Sequence, residues 1–235
     1  MELTAFEQEK YDRHMRIKGF TPDMQENLKQ ASVLVIGAGG LGCPVLQYLA
    51  AAGVGKIIIV EPDVVSVSNL QRQILYTPAD LGKSKAQLAA ERLKTMNPET
   101  RIEIYSEWLT DELADALFPT CNVVVGATDN FKSRLLIDRK SVAHGIPFVH
   151  GAIRELEGQL SVFNYGGSLS YTAMFGTEAT EASSPIGVMG AIPGIIGSMM
   201  ALEVLKIITG LGEVMANQLL LYDGMSNRTN VLKYK

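Results

Sequence analysis

Residues 32–42 of the 235-residue chain read Ser-Val-Leu-Val-Ile-Gly-Ala-Gly-Gly-Leu-Gly, and this segment is the clearest indication of its architecture. Its first half is a short apolar run, as expected of a strand buried on both faces of a parallel sheet. Gly37, Gly39 and Gly42 follow at the G-x-G-x-x-G spacing, and a helical pattern begins directly after them. In such a unit the glycines permit a tight turn, a close approach to phosphate and close helix–strand packing. The stretch therefore predicts a phosphate cradle, with a plain strand–turn–helix junction as the alternative.

The composition is that of a globular protein with a substantial core. Hydrophobic residues make up 47% of the chain and charged residues 20%, which is ordinary for soluble domains. The net charge is −4 and the pI is near 5.5. Because the sequence also lacks a basic stripe, we expect no nucleic-acid partner. The polar N-terminus has no basic-then-apolar signal pattern, so we expect a cytoplasmic protein.

The most apolar segment does not indicate a membrane protein, and the cysteines do not indicate a zinc-binding or disulfide-bonded protein. Residues 192–208 are interrupted by proline, glycine and charged residues, so we interpret them as a buried helix and expect no membrane span. Cys43 and Cys121 are too few for a zinc site or a disulfide framework and suit a reducing compartment. Cys43 stands at a predicted helix start, where a thiol can be activated, but we interpret it as a small buried hydrophobe.

Strand and helix patterns alternate from residue 32 to residue 149. This alternation predicts an α/β fold, a Rossmann-like doubly wound sheet that is parallel in its N-terminal part. The predicted strands cover residues 33–36, 56–60, 101–105, 122–126 and 146–149, and the predicted helices cover 41–52, 81–96, 111–117 and 131–144.

The pattern changes after residue 151. Residues 159–163 alternate like a half-exposed antiparallel strand, and two later apolar segments predict antiparallel strands that close the sheet. A small-residue stretch predicts a mobile loop, and a helix is predicted behind it. We find no internal repeat or linker, so we expect a single domain that begins with a helical arm. The remaining ranges are 1–30 for the arm, 166–184 for the loop, 193–208 for the helix, and 219–222 and 230–234 for the strands.

Acidic residues follow two of the predicted strands. Glu61 comes about 20 residues after Gly42, where a nucleotide-binding unit places an acceptor for ribose hydroxyls. Asp63 lies two residues further on, and Asp129 follows strand 122–126. Carboxyl ends of parallel strands form the edge at which open sheets bind ligands. A lone acid there is otherwise a turn residue, but its spacing favours the ribose role for Glu61.

Two lysines open the helix predicted over 81–96. Lys83 and Lys85 lie at its N-terminal end, where the helix dipole favours anions rather than cations. Their position indicates an anionic group nearby, with a solvated pair as the alternative.

Three segments carry a resemblance to a known family. They are Asp-Val-Val-Ser-Val-Ser-Asn-Leu-Gln-Arg-Gln at 63–73, Ala-Thr-Asp-Asn at 127–130 and Gly-Ala-Ile-Arg-Glu-Leu-Glu-Gly-Gln at 151–159. Together with the glycine stretch they resemble the MoeB/ThiF family of adenylating enzymes, bacterial relatives of the ubiquitin-activating enzymes. The likeness runs from Lys10-Tyr-Asp-Arg13 to Tyr222-Asp223.

The resemblance implies a reaction. Such enzymes use ATP and Mg²⁺ to adenylate the C-terminal Gly-Gly carboxylate of a ubiquitin-like sulfur carrier of the ThiS or MoaD type, and they release pyrophosphate. The product serves thiamine, molybdopterin or related thio-metabolite biosynthesis. An ionised carboxylate is already a nucleophile, so the enzyme needs only to align the reactants and neutralise charge. The sequence shows no Ser–His or Cys–His pair, in agreement with this chemistry.

The resemblance also assigns residues to roles. Arg13 would reach into the site of a partner subunit, which implies a homodimer, and Asp129 would hold Mg²⁺. Residues 31–150 would form the nucleotide-binding half and 151–235 the carrier-binding and dimer half. Arg13, Arg72, Lys85 and Asp129 would be catalytic. The nucleotide would be bound by Gly37, Gly39, Gly40, Gly42, Glu61, Asp63, Asn69, Arg72, Gln73, Lys85, Asp129 and Asn130.

The sequence departs from the family pattern at three places. Glu61 stands where the family has a ribose-binding aspartate. The first of two zinc-binding Cys-x-x-Cys pairs falls on Ser170 and Ala173, and no second pair precedes Lys235, so we expect no zinc site. The relay cysteine of some members aligns with Ser183, so we expect no sulfur relay through this chain.

Other functions remain open at the level of sequence. One is an NAD-dependent oxidoreductase with the same Rossmann-type start, and another is a non-catalytic relative that keeps only its carrier-binding surface. A third is an ATP-dependent dehydratase acting on a tRNA base, which the low pI and missing basic patch disfavour. The histidines at 14, 144 and 150 show no metal-ligand spacing, and we interpret them as structural.

Overall fold

A computed structural model describes residues 3–178 and 187–234. Its centre is a mixed sheet whose eight strands lie in the order β3-β2-β1-β4-β5-β6-β7-β8. The strands are β1 Ser32–Ile36, β2 Lys56–Val60, β3 Arg101–Tyr105, β4 Val123–Gly126, β5 Phe148–Arg154, β6 Glu157–Phe163, β7 Gln218–Asp223 and β8 Arg228–Lys233.

The direction of the strands divides the sheet into two parts. β1 pairs in parallel with both β2 and β4, and β3 and β5 continue the parallel part on either side. β6, β7 and β8 are antiparallel additions. The predicted Rossmann-like fold, parallel first and antiparallel later, is thus confirmed. The chain order reverses at β1, and ligands bind beyond the carboxyl ends of the strands at such a switch point.

Helices cover both faces of the sheet. They are α1 Ala5–Lys10, α2 Asp12–Met15, α3 Pro22–Gln30, α4 Gly42–Ala51, α5 Lys85–Met96, α6 Asp111–Leu117, α7 Phe131–His144, α8 Tyr171–Phe175 and α9 Ala191–Thr209. Val33 and Val35 of β1 point into a core shared with α4, α5 and α9, whereas Leu34 and Ile36 point into a core shared with α6, α7 and α8. The apolar run at residues 33–36 follows from this burial on both faces.

The N-terminal arm, residues 3–30, docks on the C-terminal end of α4. The last carbonyl groups of a helix have no partner within it. Here Gln25 donates to the Ala52 carbonyl at 2.8 Å, and Asn97 donates to the Ala50 carbonyl at 2.7 Å. The Asn97 amide also donates to the Tyr11 hydroxyl at 3.3 Å. The last helix of the arm, α3, begins at Pro22, with Thr21 as its N-cap.

α9 is long and apolar enough to cross a bilayer by length and composition, with a mean hydropathy of 1.7. It packs against α4, β5 and β6, and a side chain at Gly197 would lie 2.6 Å from the carbonyl oxygen of Leu41. These contacts agree with the interpretation of this segment as a core helix. One side of α9 is nevertheless only partly covered by the rest of the described chain, and Leu202 on it is 55% exposed.

Three local predictions differ from the structure by more than a small shift at one end. The helix predicted over 81–96 begins only at Lys85, where Ser84 is the N-cap. The prediction of a mobile loop over 166–184 is wrong at residues 171–175, which form the helix α8. Residues 179–184 of the predicted loop lie outside the described part of the chain. α8 has only five residues and forms because the buried Asp138 carboxylate accepts the N–H groups of Tyr171 and Thr172. The strand predicted over 146–149 instead covers Phe148–Arg154, because pairing with β6 overrides the weak strand propensity of Gly151.

Candidate nucleotide-binding site

The glycine loop, residues 37–42, joins β1 to α4 at the switch point. Gly37 has a φ of +100°, and a Cβ there would lie 2.6 Å from the carbonyl oxygen of Ala127. At Gly42 a Cβ would lie 2.1 Å from the carbonyl oxygen of Gly37. A side chain at either position would collide with backbone, which explains why both are glycine.

Side chains from other segments converge on the middle of this loop. A Cβ at Gly39 would lie 3.3 Å from Nε2 of Gln73, and a Cβ at Gly40 would lie 3.6 Å from Cγ of Arg72. Pro193, in the first turn of α9, also lies against Gly40. The structure therefore places Arg72 and Gln73, both assigned to nucleotide binding by the resemblance, against the glycine loop.

Residues 66–73 reach the loop through a short helical turn. The Asn69 side chain accepts the Ser66 N–H at 3.3 Å and stabilises the turn. Arg72 donates to the Ser68 carbonyl at 2.8 Å. This single bond directs the guanidinium but leaves most of its five N–H donors available for a ligand.

Glu61 is buried beneath the glycine loop. One carboxylate oxygen accepts the N–H of Ala38 at 2.7 Å, and the other accepts the N–H of Asp63 at 2.9 Å. Each oxygen keeps a further lone pair, so a ribose hydroxyl could still be accepted. Glu61 thus supports the loop in addition to any role in binding ribose.

Lys85 begins α5 beside the end of β2. Its ammonium lies 3.0 Å from the Asp63 carboxylate, and its backbone N–H donates to the Asp63 carbonyl at 3.0 Å. Lys83, the other lysine at this helix start, has an exposed side chain. The structure therefore distinguishes two lysines that the helix pattern by itself left equivalent.

Asp129 is exposed in the loop that follows β4. This loop touches the glycine loop through the carbonyl of Ala127, and Asn130 caps α7 by accepting the Ser133 N–H at 2.8 Å. Sequence reasoning missed Arg134, which donates to the Thr128 carbonyl at 3.0 Å and thereby holds this loop. One sequence signal could have found Arg134. It is a cation about one turn into the helix that follows β4, a strand whose carboxyl end lies at the edge where ligands bind.

Arg13 lies far from these residues. It is exposed on α2, within the arm that docks at the C-terminal end of α4, whereas the glycine loop is at the N-terminal end. The ten residues of α4 span about 15 Å. The structure therefore does not bring Arg13 to the glycine loop of its own chain.

The cysteines and the buried histidine are not poised for chemistry. Burial raises the pKa of both Cys43 and Cys121 to about 12, so both thiols stay protonated near neutral pH. Burial, and then the charge of Arg134, hold the pKa of His150 well below its usual value. His150 packs among aromatic rings, with its centroid 5.0 Å from that of Tyr171, in agreement with a structural role.

The two positions on which the first zinc-binding cysteine pair of the family would fall lie at the start of a helix. Ser170 is the N-cap of α8, and its hydroxyl accepts the Ala173 N–H at 3.1 Å. Ser183 lies outside the described residues. Within residues 3–178 and 187–234, no three His, Cys, Asp or Glu side chains are grouped closely enough to hold a metal ion.

The fold and the glycine loop together define a Rossmann-like nucleotide-binding protein. Comparison with known sequences gives its family. The chain belongs to the ThiF family, whose sequence profile matches residues 11–235. The resemblance to MoeB and ThiF proteins is thereby confirmed.

Two relatives illustrate this membership. The chain is 44% identical over 234 residues to a sulfur carrier protein adenylyltransferase of Thermus thermophilus, covering 96% of this chain and 86% of that protein. It is 39% identical over 230 residues to the adenylyltransferase and sulfurtransferase MOCS3 of Arabidopsis thaliana. That match covers 96% of this chain but only 50% of the plant protein.

Solved structures show the same fold. E. coli MccB with ATP superposes with a TM-score of 0.87 at 20% identity, covering 98% of this chain and 72% of that one. At this level of identity the likeness concerns the fold alone.

Proposed function

We propose that this chain is an ATP-dependent adenylyltransferase that activates the C-terminal Gly-Gly carboxylate of a ubiquitin-like sulfur carrier. The observation that carries the proposal is the convergence of Arg72, Gln73 and the Lys85–Asp63 pair around the glycine loop at the switch point of the sheet. The 44% identity to a protein named for the same activity supports it.

The reaction is a nucleotidyl transfer. A carboxylate oxygen of the carrier forms a bond to the α-phosphorus of ATP. The bond from that phosphorus to the bridging oxygen breaks, and pyrophosphate leaves with the electron pair. Arg72 and Lys85 stabilise the negative charge that develops on the phosphate oxygens, and the amide groups at the start of α4 bind the phosphates.

Asp129 would be the residue that holds Mg²⁺. Magnesium prefers oxygen ligands and commonly combines one or two carboxylates with the phosphates of a nucleotide. Asp129 is an exposed carboxylate on the ligand edge, two residues after Ala127, whose carbonyl touches the glycine loop, and this fits the requirement. When bound, Mg²⁺ would supply charge neutralisation as pyrophosphate leaves. Asn130 lies beside it and fixes the loop through the α7 cap.

The position of Arg13 supports a homodimer. It cannot reach its own glycine loop across the length of α4, so a role in the reaction requires the site of a second copy. The uncovered side of α9, with Leu202 55% exposed, and the neighbouring Tyr48 on α4, 56% exposed, offer an apolar surface for that copy. Burial of such a surface stabilises obligate dimers.

The experiment is to mix the protein with MgATP and candidate carriers that end in Gly-Gly, and to examine each carrier by mass spectrometry. We expect one carrier to gain the mass of an AMP group. The same carrier without its last glycine is the control and should stay unmodified. Absence of adduct and of carrier-dependent ATP–pyrophosphate exchange with thiamine-type and molybdopterin-type carriers would overturn the proposal, and tight binding of NAD would favour an oxidoreductase.

A further inference from the structure

We propose that Tyr76 is a positioning residue whose hydroxyl fixes the direction of the Gly39 amide in the phosphate cradle. This inference rests on the proposed use of ATP at the glycine loop. Tyr76 was absent from the residues that the sequence singled out, because a tyrosine just past a polar segment resembles an ordinary core residue.

Both polar groups of Ala38 are held from outside the loop. Its N–H donates to the buried carboxylate of Glu61 at 2.7 Å. Its carbonyl oxygen accepts the Tyr76 hydroxyl at 2.8 Å. Ala38 has no solvent exposure, and Glu61 and Tyr76 are each only 5% exposed, so water does not compete readily for these bonds.

The two bonds determine how the neighbouring peptide groups point. A trans peptide is planar, and its C=O and N–H are directed to opposite sides. Holding the Ala38 carbonyl toward Tyr76 therefore turns the Gly39 N–H away from Tyr76. That direction leads away from the core side occupied by Tyr76, and Gly39 itself is partly exposed. Gln73 and Arg72 lie against Gly39 and Gly40 in this part of the loop.

The hydrogen bond from Tyr76 to the Ala38 carbonyl matters because Ala38 lies between two glycines. Gly37 and Gly39 flank Ala38, and glycine populates both signs of φ almost equally. Without an external bond, the peptide between Ala38 and Gly39 could rotate and present its carbonyl oxygen to the phosphate. An acceptor facing an anion would replace a donor, so the loop would lose a favourable contact and gain a repulsive one.

The Tyr76 hydroxyl also connects the loop to the helix that carries Lys85. It lies 3.3 Å from the Lys85 carbonyl oxygen as well as 2.8 Å from that of Ala38. Burial raises the pKa of Tyr76, so the hydroxyl stays a donor. Cys43 approaches the Ala38 carbonyl at 3.5 Å through its sulfur, but a thiol is a weaker donor. The Tyr76 hydroxyl thus connects the glycine loop to α5, the helix that begins at Lys85.

The test is the substitution Tyr76→Phe, which removes only the hydroxyl. Tyr165→Phe is the matched control, since Tyr165 follows β6 at the opposite edge of the sheet. Binding of ATP and of adenosine is measured by calorimetry in the full chain. We expect Tyr76→Phe to weaken ATP binding about tenfold, with adenosine binding unchanged because adenosine has no phosphate. Tyr165→Phe should change neither.

Three results would overturn the proposal: unchanged ATP binding in a folded Tyr76→Phe protein, equal weakening of ATP and adenosine, or the same effect from Tyr165→Phe. If the variant does not fold, hydrogen exchange of the wild-type Gly39 amide decides. We expect rapid exchange in the free protein and slow exchange with ATP, and no slowing would contradict the inference. A protein that binds ATP but adenylates no carrier would refute the proposed function while leaving this test intact.

Discussion

The ammonium of Lys85 lies 3.0 Å from the carboxylate of Asp63, yet the two side chains differ greatly in exposure. The lysine side chain is 4% exposed and the aspartate side chain 54%. A buried cation is costly unless it is paired. Asp63 supplies a partner from the solvent side, on which a polyphosphate would also approach.

Replacing this lysine tests its role in charge stabilisation. We expect Lys85→Met, which keeps the length of the side chain, to lower carrier-dependent ATP–pyrophosphate exchange by at least about 100-fold. The fold should survive, because the substitution leaves only the exposed Asp63 without its partner. Lys94→Met, on the last turn of the same helix, is the control and should retain normal exchange. An active Lys85→Met protein would remove this residue from the mechanism.

Arg72 and Asp129 are expected to be equally necessary. Arg72→Ala removes the cation beside Gly40, and Asp129→Ala removes the proposed magnesium ligand. Each substitution should abolish exchange while circular dichroism stays that of the wild type. The exposed Arg101, at the start of edge strand β3, provides a control in Arg101→Ala. Near-normal exchange in either site variant would reject the role assigned to that residue.

Complementation between two inactive variants tests the homodimer. If Arg13 acts in the partner's site, a mixed dimer of Arg13→Ala and Lys85→Met chains contains one intact site. Random exchange of subunits makes half of the dimers mixed, so a mixture should recover about a quarter of wild-type activity. Each variant alone is the control. A mixture as inactive as its components, with subunit exchange verified by mass spectrometry, would contradict action in trans.

Asp138 is expected to stabilise the short helix α8. Its side chain is 1% exposed, and it accepts backbone N–H groups from Tyr171 at 2.7 Å and Thr172 at 2.9 Å. Asp138→Ala leaves these donors unsatisfied and should lower the free energy of unfolding by about 1–3 kcal/mol, measured by urea denaturation. The exposed Asp12→Ala is the control. If the free energy of unfolding falls no further than it does in Asp12→Ala, α8 is held by its aromatic contacts instead.

Asp80 makes stability depend on pH in the acid range. A hydrogen bond from Arg92, followed by bonds from Thr77, lowers the pKa of Asp80 to about 2. A depressed carboxyl pKa contributes stability above the unfolded value near 4, and this contribution is lost as the pH falls toward 2. Asp80→Asn should therefore lower the urea midpoint at pH 7, and the gap to the wild type should narrow from pH 4 downward. A gap independent of pH would assign the effect to packing rather than to charge.

The parallel part of the sheet could be predicted from sequence because its information is local. β2, β3, α6 and α7 have the predicted bounds, since each combines a clear apolar pattern with a capping or breaking residue. α8 could not be predicted, because its first two N–H groups, those of Tyr171 and Thr172, bond to Asp138, 33 and 34 residues earlier in the chain. Short elements that depend on distant partners leave little trace in their own segment.

The candidate site shows the same limit. The positions of Glu61, Arg72 and Lys85 followed from their spacing and from the resemblance. Arg134 was missed although its bond reaches only six residues back, to Thr128. Tyr76 was missed because it bonds to the backbone carbonyl of Ala38, 38 residues earlier in the chain. Such bonds depend on where the folded chain passes and not on neighbouring residues.

The burial of both cysteines has a practical consequence for handling the protein. Thiol-reactive reagents should modify Cys43 and Cys121 only when the chain opens, since neither sulfur is accessible or ionised in the folded state. Pulsed alkylation therefore reports the fraction of opened molecules directly. The folded chain should also tolerate purification in air without added reductant.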